Sequence, residues 1–126
     1  MKKLLLVDDE TVVLDLLRTL ILVEKRDYEV LTAKDAASAL EVFRKNPVDL
    51  AVIDLRLPGM NGLDLLAALR KIKPGLPAIL MSAYSDESLA ARACSGVALG
   101  FFPKPFKDIN EVLALIDRGL SSPPSP

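Results

Sequence analysis

Polar residues end four separate apolar runs of this sequence. If the runs are buried parallel strands, their carboxyl ends lie side by side at one edge of a sheet, where open α/β folds place their ligands. Three carboxylates, a hydroxyl and an ammonium would then be neighbours, a set suited to a metal-bridged phosphoryl site. The runs and the polar residues that follow them are Leu4–Val7 with Asp8 and Asp9, Leu50–Ile53 with Asp54, Ala78–Met81 with Ser82, and Phe101–Pro103 with Lys104.

Each of these residue types has a chemical use at such a site. The Asp54 carboxylate could attack a phosphoryl group to give an acyl phosphate. Asp8, Asp9 and Asp54 would repel one another unless a cation lay between them, and Mg²⁺ prefers oxygen ligands of this kind. Lys104 would bring a compact positive charge to a phosphate, and Ser82 would bring a hydroxyl donor.

Each residue also has a plainer interpretation when it is taken alone. Either Asp8 or Asp9 could cap a helix, and Asp54 could cap a loop. Ser82 could be an ordinary strand-end hydroxyl, and Lys104 a solvated surface lysine. The occurrence of all of them at strand ends favours the site.

Composition bounds the class of protein. The 126 residues suit one domain, predicted at residues 1–120, followed by a Ser/Pro-rich tail or the start of a linker at residues 121–126. No apolar stretch reaches the ~20 residues that span a bilayer, and the first residues lack a signal-peptide core, so we expect a soluble, cytoplasmic protein without a membrane partner. One cysteine, Cys94, and no histidine argue against a disulfide and an all-protein zinc site. A net charge of −1 without a basic stripe argues against direct nucleic-acid binding by this chain.

Strand-like and helix-like segments alternate along the chain, which predicts an α/β fold with a doubly wound, five-stranded parallel sheet and helices on both faces. Neither Gly-rich nucleotide-binding signature is present. The predicted strands are Leu4–Val7, Tyr28–Ala33, 50–54, 78–82 and 99–102. The predicted helices are Thr11–Leu22 with an inward face of Val13, Leu16, Leu17 and Leu20; one from N-cap Asp35 to Asn46 with Ala36, Ala39, Leu40 and Phe43; one with Leu65, Leu66, Leu69 and Ile72 that ends at Pro74; one at 86–95; and one with Ile109, Val112, Leu113, Ile116 and Leu120.

In their order and register, these residues resemble the response regulator receiver domain of two-component signalling. The resemblance covers about residues 2–120 and implies a flavodoxin-like fold with strand order 2-1-3-4-5. Residues 81–86 and 102–106 are similar to receivers of the nitrogen-regulator type, which are joined to an ATPase and a DNA-binding domain. The matching positions are the acidic pair Asp8 and Asp9, the acceptor Asp54, the hydroxyl Ser82, the aromatic Phe101, and Lys104-Pro105.

The resemblance implies a phosphoacceptor rather than an enzyme with a separate substrate. Asp54 would accept a phosphoryl group from the phosphohistidine of a sensor histidine kinase or phosphotransfer protein. The cofactor would be Mg²⁺, held by Asp9, Asp54 and the Arg56 backbone carbonyl, with Asp8 acting through water. The only chemistry of the chain would be its own phosphorylation and dephosphorylation.

The resemblance also implies a switch. Phosphorylation would draw Ser82 toward the phosphoryl group and let Phe101 turn inward. A cis Lys104-Pro105 peptide would aim the ammonium at the site. The face formed by the fourth predicted helix, the fifth strand and the fifth helix, called α4-β5-α5 in the family, would then bind an output domain or partner. The protein would be a monomer or a phosphorylation-dependent homodimer.

The sequence departs from the family's pattern at several positions. The glycine that commonly ends the fourth helix is replaced by Val97, with Gly96 one residue earlier, and Phe101 stands where tyrosine is common. Arg56 and Tyr84, two residues beyond Asp54 and Ser82, border the predicted site at positions that vary in the family. We hypothesise that their bulk slows the attack of water on a phospho-aspartate.

Two alternatives of other classes stay open at this point. An aspartate-nucleophile phosphohydrolase of the haloacid dehalogenase type would want a second aspartate two residues after Asp54, where this chain has Arg56. A degenerate receiver could act as a constitutive docking module, although the intact set of polar strand ends argues against it.

Overall fold

The computed structural model describes residues 2–24, 27–83, 98–104 and 108–121. Helices and strands alternate through most of these ranges, as predicted. The helices are α1 (Thr11–Glu24), α2 (Ala36–Lys45), α3 (Gly62–Ile72) and a C-terminal helix (Ile109–Ser121). The strands are β1 (Lys2–Val7), β2 (Tyr28–Ala33), β3 (Leu50–Asp54), β4 (Arg56–Leu57), β5 (Met60–Asn61), β6 (Ala78–Ala83) and β7 (Gly100–Lys104).

Five of these strands form one parallel sheet in the order β2-β1-β3-β6-β7. Counted along the chain within this sheet, the order is 2-1-3-4-5, which confirms the predicted flavodoxin-like topology. β4 and β5 form a separate antiparallel pair directly after β3. The sheet order reverses at β1 and β3, and ligands of such folds bind at that point.

Each face of the sheet is covered by helices, because successive side chains of a strand point to opposite faces. On one face, strand residues such as Leu5 and Ile53 pack with α2 and α3. On the other face, strand residues such as Leu6 and Val52 pack with α1 and the C-terminal helix. This arrangement confirms the prediction of helices on both faces.

The inward face predicted for α1 is partly wrong. Leu16 is 46% exposed, whereas Leu14, Leu17 and Ile21 are buried. Nearly every position of this helix is apolar, so the spacing alone allowed two adjacent faces, and packing on the sheet selects between them. The predicted inward residue Ile72 is also wrong, since it is 47% exposed on the last residue of α3.

The helix ends mostly follow the predicted signals. The Asp35 side chain caps α2 by accepting a hydrogen bond from Ser38 N at 2.7 Å. The C-terminal helix runs to Ser121, one residue past the predicted end. The predicted helix at 86–95, Cys94, the Gly96–Val97 corner and residues 122–126 of the tail lie outside the described residues. Among the helices that are described, none is long and apolar enough to cross a membrane.

Candidate functional site

The polar residues predicted at strand ends lie at the carboxyl edge of the main sheet. Asp8 directly follows β1, Asp54 is the last residue of β3, and Lys104 is the last residue of β7. Ser82 lies in β6, one residue beyond the register partner of Asp54. Asp8, Asp54 and Ser82 are buried, whereas Asp9 is exposed. The polar side chains at this edge therefore come from three β-strands of the sheet and from the loop after β1.

Lys104 joins the two buried carboxylates. Its Nζ atom lies 2.9 Å from Asp8 Oδ2 and 2.9 Å from Asp54 Oδ2. The Lys104 side chain is only 12% exposed, so water screens these contacts weakly. Asp8 and Asp54 precede Lys104 by 96 and 50 positions in the sequence, and both contact its ammonium group.

Backbone donors fix the second oxygen of each buried carboxylate. Asp8 Oδ1 accepts a hydrogen bond from Glu10 N at 2.9 Å, and Asp54 Oδ1 accepts one from Arg56 N at 3.1 Å. Each carboxylate therefore has one oxygen toward the backbone and one toward Lys104. Among the described residues, no buried side-chain nitrogen or oxygen lacks a partner. The site is consequently preorganised rather than loosely packed.

For both Asp8 and Lys104, burial and hydrogen bonding shift the pKa in opposite directions. Burial, with a smaller contribution from the Asp54 charge, raises the pKa of Asp8 to about 6, although the Glu10 N–H and Lys104 oppose the rise. For Lys104, burial alone would lower the pKa, but its hydrogen bonds to Asp54 and Asp8 raise that pKa above its ordinary value. Lys104 therefore stays an ammonium at neutral pH, while Asp8 titrates just below it.

The carboxylates could also hold a metal ion. Asp8, Asp9 and Asp54 each offer one oxygen, and these oxygens all lie within 4.8 Å of one another. Asp8, Asp9 and Asp54 can carry three negative charges, whereas Lys104 brings one positive charge to Asp8 and Asp54, which leaves an excess of negative charge for a cation to neutralise. The exposed Asp9 gives that cation access from solvent. An all-oxygen set fits a hard cation such as Mg²⁺, and the Arg56 carbonyl ligand stays a prediction.

Glu10 also lies at the site, although it was not among the predicted site residues. Its Oε2 atom lies 3.5 Å from Lys104 Nζ, and its side chain is 61% exposed. The ammonium thus faces a third carboxylate on the solvent side. The available signal was a third consecutive acidic residue after β1, which is weak because exposed acidic residues are common.

Gly62 lies against the backbone of Asp54 and was likewise not among the predicted site residues. A Cβ atom on Gly62 would lie 2.3 Å from Asp54 O and 2.9 Å from Leu55 Cα. The N–H of Gly62 donates to Leu55 O at 2.8 Å, which ties the start of α3 to the end of β3. In the turn between β4 and β5, Gly59 follows Pro58 and has a φ of 78°, which matches the third residue of a type II turn.

The described residues include only some of the remaining predicted site residues. Phe101 is half-buried in β7 and packs against the core on the α2 and α3 side of the sheet. Arg56 is exposed at the start of β4. Tyr84 and Pro105, and with Pro105 the predicted cis peptide, lie outside the described residues.

Known response regulators share this sequence pattern and fold. The response regulator receiver domain family matches residues 4–117. The DNA-binding transcriptional regulator NtrC of Escherichia coli is 40% identical over 90 residues, which cover 71% of this chain and 19% of that protein. The chain therefore spans about a fifth of the length of that curated relative.

Solved structures agree with this assignment. The non-phosphorylated HemR receiver domain of Leptospira biflexa is 32% identical with a TM-score of 0.83, and the match covers 100% of this chain and 98% of that one. The response regulator TrrA of Thermotoga maritima, solved in complex with Mg(2+)-BeF, is 31% identical with a TM-score of 0.80, and the match covers 95% of this chain and 100% of that one.

Receiver domains are signalling modules that bind Mg²⁺ at an acidic pocket and work with a histidine kinase and an output domain. The buried carboxylates, the bridging lysine, the sheet order and the family match all agree with that description. The chain belongs to the response regulator receiver domain family of two-component systems.

Proposed function

We propose that this chain accepts a phosphoryl group on Asp54 from the phosphohistidine of a histidine kinase or phosphotransfer protein. The observation that supports this most is the Lys104 ammonium between the buried carboxylates of Asp8 and Asp54, with the exposed Asp9 beside them. A buried acceptor with a fixed counter-charge and an acidic metal site is what phosphoryl transfer to a carboxylate needs.

The proposed transfer is a displacement at phosphorus. A carboxylate oxygen of Asp54 forms the new O–P bond while the P–N bond of the donor breaks. The imidazole nitrogen leaves with the electron pair of that bond and takes a proton from solvent. Arg56 N holds the Asp54 carboxylate in orientation through its hydrogen bond to Oδ1, and Lys104 supplies positive charge to the phosphoryl oxygens.

Mg²⁺ is the proposed cofactor of this transfer. Asp9, Asp54 and the Arg56 carbonyl would hold it directly, with Asp8 acting through water. When bound, the ion neutralises charge on the phosphoryl oxygens. The 4.8 Å clustering of the three carboxylate oxygens supports this ligand set.

The proposed output is a change at the face that includes β7 and the C-terminal helix. Ser82 and Phe101 lie on the neighbouring strands β6 and β7, so a movement of the Ser82 hydroxyl toward a phosphoryl group could free space for Phe101. This face, together with the predicted helix at 86–95, would then bind an output domain or a protein partner. The protein itself would be a monomer or a phosphorylation-dependent homodimer. NtrC is named a DNA-binding transcriptional regulator, so we propose that any contact with DNA is made by a part of the protein outside this domain.

The test is phosphorylation by a small acyl-phosphate donor with Mg²⁺, followed by intact mass measurement. We expect one phosphoryl adduct on the wild-type protein, none on Asp54→Asn, and an unchanged adduct on Asp15→Asn, a matched control at an exposed position of α1. Absence of the adduct from the wild-type protein would contradict the proposal and favour a docking module. Rapid turnover of many phosphomonoesters would favour a phosphohydrolase instead.

The lifetime of the phosphorylated form is proposed to depend on Arg56 and Tyr84. Arg56 is exposed beside Asp54, where a bulky side chain could hinder the approach of water to the phosphorus atom. We expect Arg56→Ala and Tyr84→Ala each to lose the phosphoryl group faster than the wild-type protein does. The measurement is the decay of the phosphoryl adduct after removal of the donor, and unchanged decay in both variants would reject this role.

A further inference from the structure

Glu10 makes a contact with the site that phosphoryl binding would have to change. Its Oε2 atom lies 3.5 Å from Lys104 Nζ, and its side chain is largely exposed. The other two acceptors of this ammonium, Asp8 and Asp54, are buried. The contact with Glu10 is therefore both the longest and the most exposed of the three.

The backbone of Glu10 is fixed on both sides of the residue. Its N–H donates to Asp8 Oδ1 at 2.9 Å, and its carbonyl accepts from Val13 N at 3.1 Å and from Leu14 N at 3.2 Å at the start of α1. The Glu10 side chain thus extends toward Lys104 from a point that the site and the helix both hold. Its reach to the ammonium follows from this anchoring and not from a flexible loop.

An ammonium has three N–H donors, and three carboxylates surround Lys104 Nζ. Asp8 and Asp54 accept hydrogen bonds from two of these donors, whereas Glu10 forms a longer ion pair, so a phosphoryl oxygen that binds the ammonium would compete with Glu10. Exposed ion pairs are the weakest, since water competes for both partners, so the Glu10 contact is the one most easily given up.

We infer that Glu10 is a positioning residue that forms an ion pair with Lys104 until a phosphoryl group takes its place. This inference rests on the proposed function of Asp54 and assigns a competitor to its lysine. Glu10 then slows phosphorylation slightly, because Lys104 loses its ion pair with Glu10 when it binds the phosphoryl oxygens in the transition state. The Glu10 carboxylate should strengthen the binding of Mg²⁺, since its negative charge attracts the cation.

Three substitutions separate the contact from the charge. Glu10→Gln and Glu10→Ala remove the charge and the ion pair together. Glu10→Asp keeps the charge but is one methylene shorter, so it loses reach to Lys104. Glu41→Gln is the matched control, because Glu41 forms an exposed ion pair with Lys45 at 3.0 Å on α2, in a different part of the fold.

The measurements are the rate of adduct formation with acetyl phosphate at saturating Mg²⁺ and, separately, Mg²⁺ affinity by calorimetry. All three Glu10 variants should be phosphorylated roughly two- to five-fold faster than the wild-type protein, the range expected for loss of an exposed ion pair. Mg²⁺ should bind more weakly to Glu10→Gln and Glu10→Ala but equally well to Glu10→Asp. Glu41→Gln should change neither quantity.

Two results would overturn the inference in distinguishable ways. If the wild-type protein forms the adduct but the Glu10 variants react at the wild-type rate, the role of Glu10 is rejected and the function of Asp54 stands. If only Glu10→Asp reacts at the wild-type rate, the contact with Lys104 is also rejected. The negative charge at position 10 would then be sufficient to slow phosphorylation without the contact. If the wild-type protein forms no adduct, the proposed function fails and this inference fails with it.

Discussion

At the scale of single residues, Asp8 and Asp54 show how environment decides chemistry. Burying a carboxylate is costly, and the attraction of a single lysine repays that cost only in part. The two buried carboxylates share the Lys104 ammonium, with 2.9 Å contacts on both sides. Such a cluster contributes little to stability, and a fold selected for stability alone would replace it with apolar side chains. Its presence at the ligand-binding edge of the sheet is best explained by function.

The shifted pKa of Asp8 predicts that Mg²⁺ stabilises the protein more at about pH 7.5 than at about pH 5. The pKa of Asp8 is raised from 3.8 to about 6 by burial, so without metal the folded protein keeps a proton that the unfolded chain releases. The stabilisation from that proton is complete below pH 3.8 and is lost as the pH rises through about 6. Above that pH the ionised carboxylate needs a cation most.

Thermal unfolding with and without Mg²⁺ at both pH values measures this effect. The increase in Tm on adding Mg²⁺ should be clearly larger at the higher pH. Asp8→Asn should remove most of this pH dependence, because the amide does not titrate. An equal increase at both pH values in the wild-type protein would contradict the assignment of the shift to Asp8.

At the scale of elements, the position of Asp54 depends on how α3 joins β3. The β4–β5 hairpin reverses the chain at Pro58-Gly59, and α3 then begins at Gly62, directly against the Asp54 carbonyl. A helix start can approach a strand this closely only without a Cβ atom, so a glycine is required there. Asp54, the proposed acceptor, is thus held by packing of its backbone as well as by the hydrogen bond from Arg56 N.

Gly62→Ala should lower the free energy of unfolding by about 3 kcal/mol, because the new methyl group meets backbone atoms that cannot turn aside. Gly59→Ala is the matched control. Its Cβ would meet no atom within 4 Å, so only the φ of 78° is unfavourable, at a cost of about 1 kcal/mol. Gly62→Ala should also slow phosphorylation at least about 10-fold, since it displaces the acceptor.

Denaturant unfolding and the rate of adduct formation test this pair of variants. Equal losses of stability in Gly62→Ala and Gly59→Ala would show that the close approach to Asp54 carries no special cost. A folded Gly62→Ala protein with the wild-type phosphorylation rate would show that the helix start does not position the acceptor.

At the scale of the whole molecule, the sheet and its polar edge could be predicted because both depend on local signals. Apolar runs such as Leu4–Val7 mark buried strands, and the residue that ends each run lies at the shared edge whatever the details of packing. The face of α1 could not be predicted, since Leu14 and Leu16 are equally apolar and only the surface of the sheet decides which of them is buried. Glu10 and Gly62 were missed for a related reason: their roles depend on contacts with Lys104 and Asp54, which tertiary structure alone brings near.

The central claim is that Asp54, and no other carboxylate of the acidic cluster, receives the phosphoryl group. Reduction of the phosphorylated protein with borohydride converts an aspartyl phosphate to homoserine, and peptide sequencing by mass spectrometry then locates the modified residue. The proposed function predicts homoserine at position 54 only, formed only when both the donor and Mg²⁺ are present. Homoserine at position 8 or 9, or none in a wild-type protein that binds Mg²⁺, would contradict this account.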